Sequence, residues 1–249
     1  MPTPVVLHPP LVIESQTFET REWIAATLPA GVLRYRLLVP SPLDRSHRYP
    51  LLICLHGAGE RGDDNATQVP YFLPLIRQVA AHAPCYVVIP QVPPDLRWAT
   101  YGWNAKTDQM QVHPSPVLEA TKRLLDHLIV NDCVDLDRIW ITGLSMGGYG
   151  TWESIQRWPE FFAAAVPICG GGDPRFAARI ASMPIWTWHG TDDRVIPIDR
   201  SERTISALVH AGAKPIFTPL AGCGHDSWTR AYADPLLASW LVTNRRIRP

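Results

Sequence analysis

The sequence lacks an excess of charge, a long apolar run and any cluster of cysteines. Lys plus Arg and Asp plus Glu both number 23 in 249 residues, so no net field favours nucleic acid or an anionic membrane. No apolar stretch approaches the roughly 20 residues that span a bilayer. The five cysteines show no C-x-x-C spacing, which argues against a structural zinc site and favours a reducing compartment.

The N-terminal residues lack the basic start, the apolar segment and the small-residue cleavage site of a secretory signal. We therefore expect a cytoplasmic protein, and we expect no nucleic-acid or membrane partner. Nothing in the sequence predicts an oligomeric state.

Short apolar runs typical of strands alternate with longer stripes typical of helices from about residue 30 onward. This alternation predicts an α/β fold, a mostly parallel central sheet with helices on both faces. The predicted strands are 32–39, 51–55, 86–89, 138–142, 163–168, 185–188 and 216–220, and the predicted helices are 70–83, 116–130, 147–158, 199–211 and 226–242.

The chain contains no internal repeat and no Gly/Ser-rich linker. We therefore interpret residues 1–249 as a single domain, in which residues 1–30 form an N-terminal extension or an edge strand. The segment between the predicted strands 163–168 and 185–188 is short, so no large lid domain is expected there.

One pentapeptide contains the candidate catalytic nucleophile. Gly143-Leu144-Ser145-Met146-Gly147 lies between the predicted strand 138–142 and the predicted helix 147–158. A G-x-S-x-G turn in that context is typical of a nucleophile elbow, which exposes a serine hydroxyl. A Gly-rich turn with an incidental serine is the alternative, but the flanking elements favour Ser145 as a nucleophile.

A serine hydroxyl needs a general base, and in this kind of fold the chain order is serine, acid, histidine. His225 lies in a Gly-rich loop after the last predicted strand. His189 precedes the candidate acids and His210 lies near a helix end, so both fit the order less well. We predict that His225 is the base.

The candidate acids are Asp192 and Asp193, which follow the predicted strand 185–188. An acid at this place would hold the imidazole in one tautomer and stabilise the imidazolium. Adjacent side chains usually point apart, so only one aspartate should reach His225. The residues alone leave the choice open.

The oxyanion of an acyl-transfer intermediate needs two backbone N–H donors. The residue after the nucleophile, Met146, supplies one of them. The loop LHGAGERG at 55–62 follows a buried strand and is the natural source of the second donor.

Four motifs together resemble those of α/β-hydrolase fold esterases: LHGAGERG (55–62), GLSMGGYGTW (143–152), HGTDDRVIP (189–197) and GHDSW (224–228). Within this fold, the motifs most resemble those of bacterial carboxylesterases of the dienelactone hydrolase, phospholipase/carboxylesterase and feruloyl esterase type. The resemblance implies Asp193 as the acid and Ala58 as the second oxyanion donor. Dienelactone hydrolases carry a cysteine nucleophile, so Ser145 argues against that activity.

We therefore expect a serine hydrolase that cleaves carboxylic esters, short-chain or aryl, through an acyl-enzyme and without metal or organic cofactor. A peptidase or amidase with the same triad and a catalytically silent binding protein are the alternatives. The substrate would be a small-molecule ester, and the aromatic candidates for its pocket are Trp98, Tyr101, Trp103, Trp188 and Trp228.

Overall fold

An eight-stranded sheet forms the centre of the computed structural model, which describes residues 12–13, 16–102, 105 and 107–246. Its strands are β1 (Glu19–Ile24), β2 (Val32–Leu38), β3 (Tyr49–Leu55), β4 (Tyr86–Pro90), β5 (Val134–Leu144), β6 (Ala164–Ile168), β7 (Trp186–Gly190) and β8 (Ile216–Leu220). Their order across the sheet is β1-β2-β4-β3-β5-β6-β7-β8. Strands β3 to β8 are parallel, whereas β2 runs antiparallel to both β1 and β4.

Six helices cover the two faces of this sheet: α1 (Leu73–His82), α2 (Pro116–Asn131), α3 (Met146–Arg157), α4 (Asp199–His210), α5 (Ser227–Ala233) and α6 (Pro235–Thr243). Residues of α2, α3 and α4 join the core on one face, and residues of α1, α5 and α6 join the core on the other. The predicted α/β fold with a mostly parallel sheet is confirmed.

Strand β3 shows why the central strands read as continuous apolar runs. Leu51, Ile53 and Leu55 belong to the core on one face, and Leu52 and Cys54 belong to the core on the other. Side chains alternate between the two faces of a strand, so a strand covered by helices on both sides needs apolar residues at every position.

The structure corrects one predicted element near the C-terminus. The helix expected over 226–242 is two helices, α5 and α6, which meet at Asp234. The Asp234 carboxylate accepts the backbone N–H of Leu236 at 2.8 Å and caps α6. Pro235 follows at the first position of α6, where its missing N–H costs nothing, whereas in a helix interior it would remove a hydrogen bond.

Part of the segment 1–30 lies outside the described residues. In the part that is described, β1 is an edge strand and Val12–Ile13 pairs separately with Gln16–Thr17. Between β6 and β7 the chain forms only a 3-10 helix, Pro174–Ile180. The interpretation of residues 1–249 as a single domain stays a prediction. In the part of the chain that the structure describes, no helix combines the length and the apolar character needed to cross a membrane.

Candidate active site

Ser145 occupies a strained turn between β5 and α3. Its φ of 54° and ψ of −114° are a conformation that side-chain-bearing residues rarely adopt. The turn is fixed by a hydrogen bond of 3.0 Å from the Ser145 backbone N–H to the carbonyl of Ile168, the last residue of β6. Such strain at a turn is typical of residues held ready for chemistry.

The two glycines of the G-x-S-x-G turn, Gly143 and Gly147, lie where neighbouring backbone segments leave no room for a side chain. A Cβ atom at Gly147 would lie 1.7 Å from the carbonyl oxygen of Leu55, and a Cβ at Gly143 would lie 2.3 Å from the carbonyl oxygen of Gly147. Both distances are far inside van der Waals contact. The G-x-S-x-G pattern therefore lets α3 start directly against β3 and β5.

The Ser145 hydroxyl is in contact with an imidazole. Ser145 Oγ lies 2.9 Å from His225 Nε2. His225 follows β8, in the loop that leads to α5, and its carbonyl accepts the N–H of Ser227 at 2.8 Å. The loop thus brings the predicted base to the predicted nucleophile from 80 residues away along the chain.

The other ring nitrogen of His225 meets Asp193. His225 Nδ1 lies 2.7 Å from Asp193 Oδ2, while Asp193 Oδ1 accepts the backbone N–H groups of Val195 and Ile196 at 2.9 Å each. Asp192 is exposed, and its carboxylate accepts the hydroxyl of Thr191 instead. Of the two adjacent aspartates, the structure places Asp193 beside His225.

Asp193 stays ionised in this environment. Its burial works to raise the pKa, but hydrogen bonds from His189, His225, Ile196 and Val195 outweigh burial and hold the pKa well below its ordinary value. A carboxylate next to Nδ1 favours the tautomer with the proton on Nδ1. Nε2 of His225 is then free to accept the Ser145 proton.

His189 is a site residue that the chain order of a triad does not predict. It lies in β7, is fully buried, and places Nε2 3.3 Å from Asp193 Oδ2 and 2.8 Å from the Ile196 carbonyl. Its Nδ1 lies 2.8 Å from the hydroxyl of Ser201. The signal in the sequence was its place four residues before Asp193 in one motif.

The oxyanion loop, which we define as residues 56–61, passes directly beside the nucleophile. A Cβ at Gly57 would lie 3.7 Å from Ser145 Cβ and 2.8 Å from both Leu144 Cδ1 and Glu60 Oε2. Ala58 opens a 3-10 helix, Ala58–Glu60, and Met146 opens α3. The first N–H groups of a helix have no acceptor within the helix. The backbone N–H groups of Ala58 and Met146 can therefore donate hydrogen bonds to an oxyanion.

His56 anchors the oxyanion loop from below. It is fully buried, its Nε2 accepts the N–H of Val92 at 2.9 Å, and its Nδ1 lies 2.6 Å from the Gly57 carbonyl. Burial, the largest effect, lowers the His56 pKa to about 4. The ring is therefore a neutral structural imidazole, donating through Nδ1–H and accepting through Nε2.

The aromatic candidates for the pocket divide into bracing and contacting residues. Trp98 is fully buried and donates Nε1–H to the His56 carbonyl at 2.9 Å, and buried Tyr101 donates its hydroxyl to the Gly171 carbonyl. Trp188 is buried and stacks on Trp186. Trp228 alone of the described candidates has a ring contact with the triad, 5.2 Å from the His225 ring centroid and edge-on. Trp103 lies outside the described residues.

Cys169 also lies next to the triad. Its sulfur, a carboxylate oxygen of Asp193 and a ring nitrogen of His225 lie within 4.8 Å of one another. Burial raises the pKa of the Cys169 thiol far above its ordinary value. The thiolate rather than the thiol is the metal ligand, so this trio is poorly suited to a cation.

The sheet order and the site together define an α/β-hydrolase. The nucleophile follows β5, the acid follows β7 and the histidine follows β8, which is the chain order of this fold. Residues 39–235 match the model of the phospholipase/carboxylesterase family. The chain belongs to this family.

Individual relatives agree with this assignment. A thermostable esterase of known structure is 36% identical, covers 92% of this chain and superposes with a TM-score of 0.82. Carboxylesterase SOBER1 of Arabidopsis thaliana is 28% identical over 46% of this chain. A ferulic acid esterase structure, 19% identical over 90% of this chain and 98% of its own, shows the same fold with a TM-score of 0.68.

This chain spans only part of the first two relatives. It covers 63% of the thermostable esterase and 54% of the Arabidopsis protein. The family assignment rests on the match over residues 39–235, and the activity and substrate of the whole protein are proposals.

Proposed function

We propose that this protein is a carboxylesterase that works through an acyl-enzyme on Ser145. The observation that carries the proposal is the continuous chain of contacts from Ser145 Oγ to His225 at 2.9 Å and from His225 to Asp193 at 2.7 Å. Membership of the phospholipase/carboxylesterase family supports the same reaction.

In the first half of the reaction, Ser145 Oγ attacks the carbonyl carbon of the ester as Nε2 of His225 removes the hydroxyl proton. Asp193 holds the imidazole in position and stabilises the imidazolium. The backbone N–H groups of Ala58 and Met146 receive the oxyanion. His225 then returns the proton to the departing alcohol, which leaves the acyl group on Ser145.

In the second half, water takes the place of the alcohol. His225 removes a proton from the water, which attacks the acyl carbon, and the carboxylic acid leaves as Ser145 regains its proton. The chemistry assigned to these residues uses side chains and backbone N–H groups alone.

We further propose short-chain or aryl esters as substrates. His225 delivers its proton to the leaving oxygen, so side chains beside His225 lie next to the alcohol part. Trp228 contacts the His225 ring, and Tyr71, which is 43% exposed, lies 5.8 Å from the Trp228 ring centroid. The two rings meet edge to face and together offer an apolar aromatic surface to an aryl alcohol.

Replacement of the nucleophile tests the proposal. Ser145→Ala should keep the fold and lower hydrolysis of p-nitrophenyl acetate by at least about 10³-fold. Ser206→Ala, an exposed serine on α4, is the matched control and should retain wild-type turnover. Wild-type turnover in Ser145→Ala would refute the mechanism.

A panel of acyl lengths, aryl esters and peptide amides defines the reaction class. The proposal expects ester rates to exceed amide rates, with both abolished by Ser145→Ala. Faster cleavage of amides than of matched esters would instead make the protein a peptidase with the same triad.

A further inference from the structure

One oxygen of a carboxyl group in the oxyanion loop has no hydrogen-bond donor. Glu60 Oε2 is buried, and no donor among the described residues reaches it. A Cβ atom built on Gly57 would lie 2.8 Å from Glu60 Oε2, 2.8 Å from Leu144 Cδ1 and 3.7 Å from Ser145 Cβ. Glu60 Oε2 and the Ser145 side chain therefore both border Gly57.

The backbone beneath Glu60 is held firmly. The Glu60 carbonyl accepts hydrogen bonds from Gln91 Nε2 at 3.2 Å and from the Thr67 hydroxyl at 3.4 Å, and Gln91 is itself buried. The N–H groups of Gly57 and of Glu60 itself favour the ionised carboxylate. Glu60 therefore reaches its position as part of a fixed loop.

The neighbouring cation does not serve Glu60. Arg61 donates Nε–H to the Ala58 carbonyl at 2.9 Å and a second N–H to the Leu96 carbonyl at 3.5 Å. Burial raises the pKa of Glu60 because it disfavours the carboxylate. A buried acceptor without a donor costs free energy, which a donor group on a bound ligand would recover.

We propose that Glu60 determines specificity by accepting a hydrogen bond from a hydroxyl or ammonium group on the acyl part of the ester, close to its carbonyl. The proposal rests on the esterase function proposed above. The acyl carbon is bonded to Ser145 with its oxygen toward the N–H of Ala58, and Glu60 is two residues beyond Ala58. Groups on the first carbons of the acyl chain are therefore the ones within reach of Glu60.

The test uses three esters that share one leaving group: p-nitrophenyl propionate, lactate and alaninate. They differ only in hydrogen, hydroxyl or amine on the carbon next to the carbonyl. All three are measured at the same pH, below neutral, so that the amine of the alaninate is protonated. The readout is kcat/KM for the substituted ester divided by kcat/KM for the propionate, which cancels any general change in activity.

Two variants separate charge from hydrogen bonding. Glu60→Met removes the acceptor and should lower the lactate or the alaninate ratio by about tenfold or more, since hydrogen bonds to charged groups are the strong ones. Glu60→Gln keeps a neutral acceptor, so it should retain part of a hydroxyl preference and lose an ammonium preference. Glu202→Gln, an exposed carboxylate on α4, is the control and should keep both wild-type ratios.

Ratios that are unchanged in both Glu60 variants would overturn the proposal, including the case in which all three esters slow equally because the oxyanion loop is disturbed. This result is distinct from failure of the esterase function. If Ser145→Ala abolishes hydrolysis of the propionate while the kcat/KM ratios are the same in wild type and in the Glu60 variants, the esterase function stands and only the role of Glu60 is refuted.

Discussion

The imidazole of His189 lies against the same carboxylate oxygen of Asp193 that contacts His225. The distances to Asp193 Oδ2 are 3.3 Å from His189 Nε2 and 2.7 Å from His225 Nδ1. Asp193 is therefore held by two imidazoles on Oδ2 and by two backbone N–H groups on Oδ1. A carboxylate held on both oxygens cannot rotate away from His225 without losing several hydrogen bonds at once.

His189 should act as a positioning residue for Asp193. We expect His189→Asn to lower kcat by about tenfold with KM little changed, because the partner of a catalytic group sets its geometry rather than substrate affinity. Steady-state kinetics with p-nitrophenyl acetate, together with thermal denaturation, measures this effect. His210→Asn, at the exposed end of α4, is the control; a lower melting temperature with unchanged kcat would leave His189 a packing role only.

The two adjacent aspartates should differ sharply in their effect on catalysis. Asp193→Asn keeps the shape of the side chain but removes the charge beside His225 Nδ1, so kcat should fall by about 10³-fold to 10⁴-fold. Asp192→Asn changes an exposed carboxylate whose partner is the Thr191 hydroxyl, and it should stay within a few-fold of wild type. The kcat of both variants decides the matter, and the reverse ranking would move the acid by one residue.

Much of this site could be predicted from the sequence because its main parts are local patterns. The strand, the G-x-S-x-G turn and the helix around Ser145 depend on near neighbours, and His225 follows from chain order. The choice of Asp193 and Ala58 came from family resemblance, and the structure brings Asp193 to His225 and the oxyanion loop to Ser145. Cytoplasmic localisation stays a prediction.

The rest depends on how individual side chains are oriented in the folded chain. The contact of His189 in β7 with Asp193 depends on the path of the loop after this strand, and the buried oxygen of Glu60 has no sequence signature. The sequence alone does not distinguish a tryptophan that packs in the core from one that contacts a substrate. Trp98 proved to brace His56 from the core, whereas Trp228 contacts His225.

Trp228 should favour aromatic leaving groups. We expect Trp228→Ala to lower kcat/KM for phenyl acetate more than for ethyl acetate, by about fivefold to tenfold in the ratio, since aromatic pairs are worth roughly 0.5–1.5 kcal/mol beyond the area they bury. Trp23→Ala, on the edge strand β1, is the control for general loss of an aromatic residue. Equal losses of kcat/KM for both esters in Trp228→Ala would show that the leaving group does not contact Trp228.

His56 should make the protein lose stability as the pH falls toward 4. In the folded protein its pKa is lowered to about 4, chiefly by burial, whereas in the unfolded chain a histidine takes up its proton near pH 6.5. The unfolded state therefore binds one more proton between about pH 6.5 and 4, and the free energy of unfolding falls there by about 1.4 kcal/mol per pH unit from this residue. Above pH 6.5 both states are neutral and the effect is absent.

Urea denaturation at a series of pH values from about 7.5 to 4.5 isolates this effect when wild type is compared with His56→Gln. The buried carboxyls Glu60, Asp108 and Glu153, whose pKa values are raised, act with the opposite sign but are present in both proteins. They cancel in the difference. The variant should be less stable at neutral pH, because Val92 and Gly57 lose partners, yet lose less stability on acidification than wild type. Ser206→Ala, at an exposed position on α4, should keep the wild-type slope. Identical slopes in wild type and His56→Gln would show that His56 takes up no additional proton on unfolding.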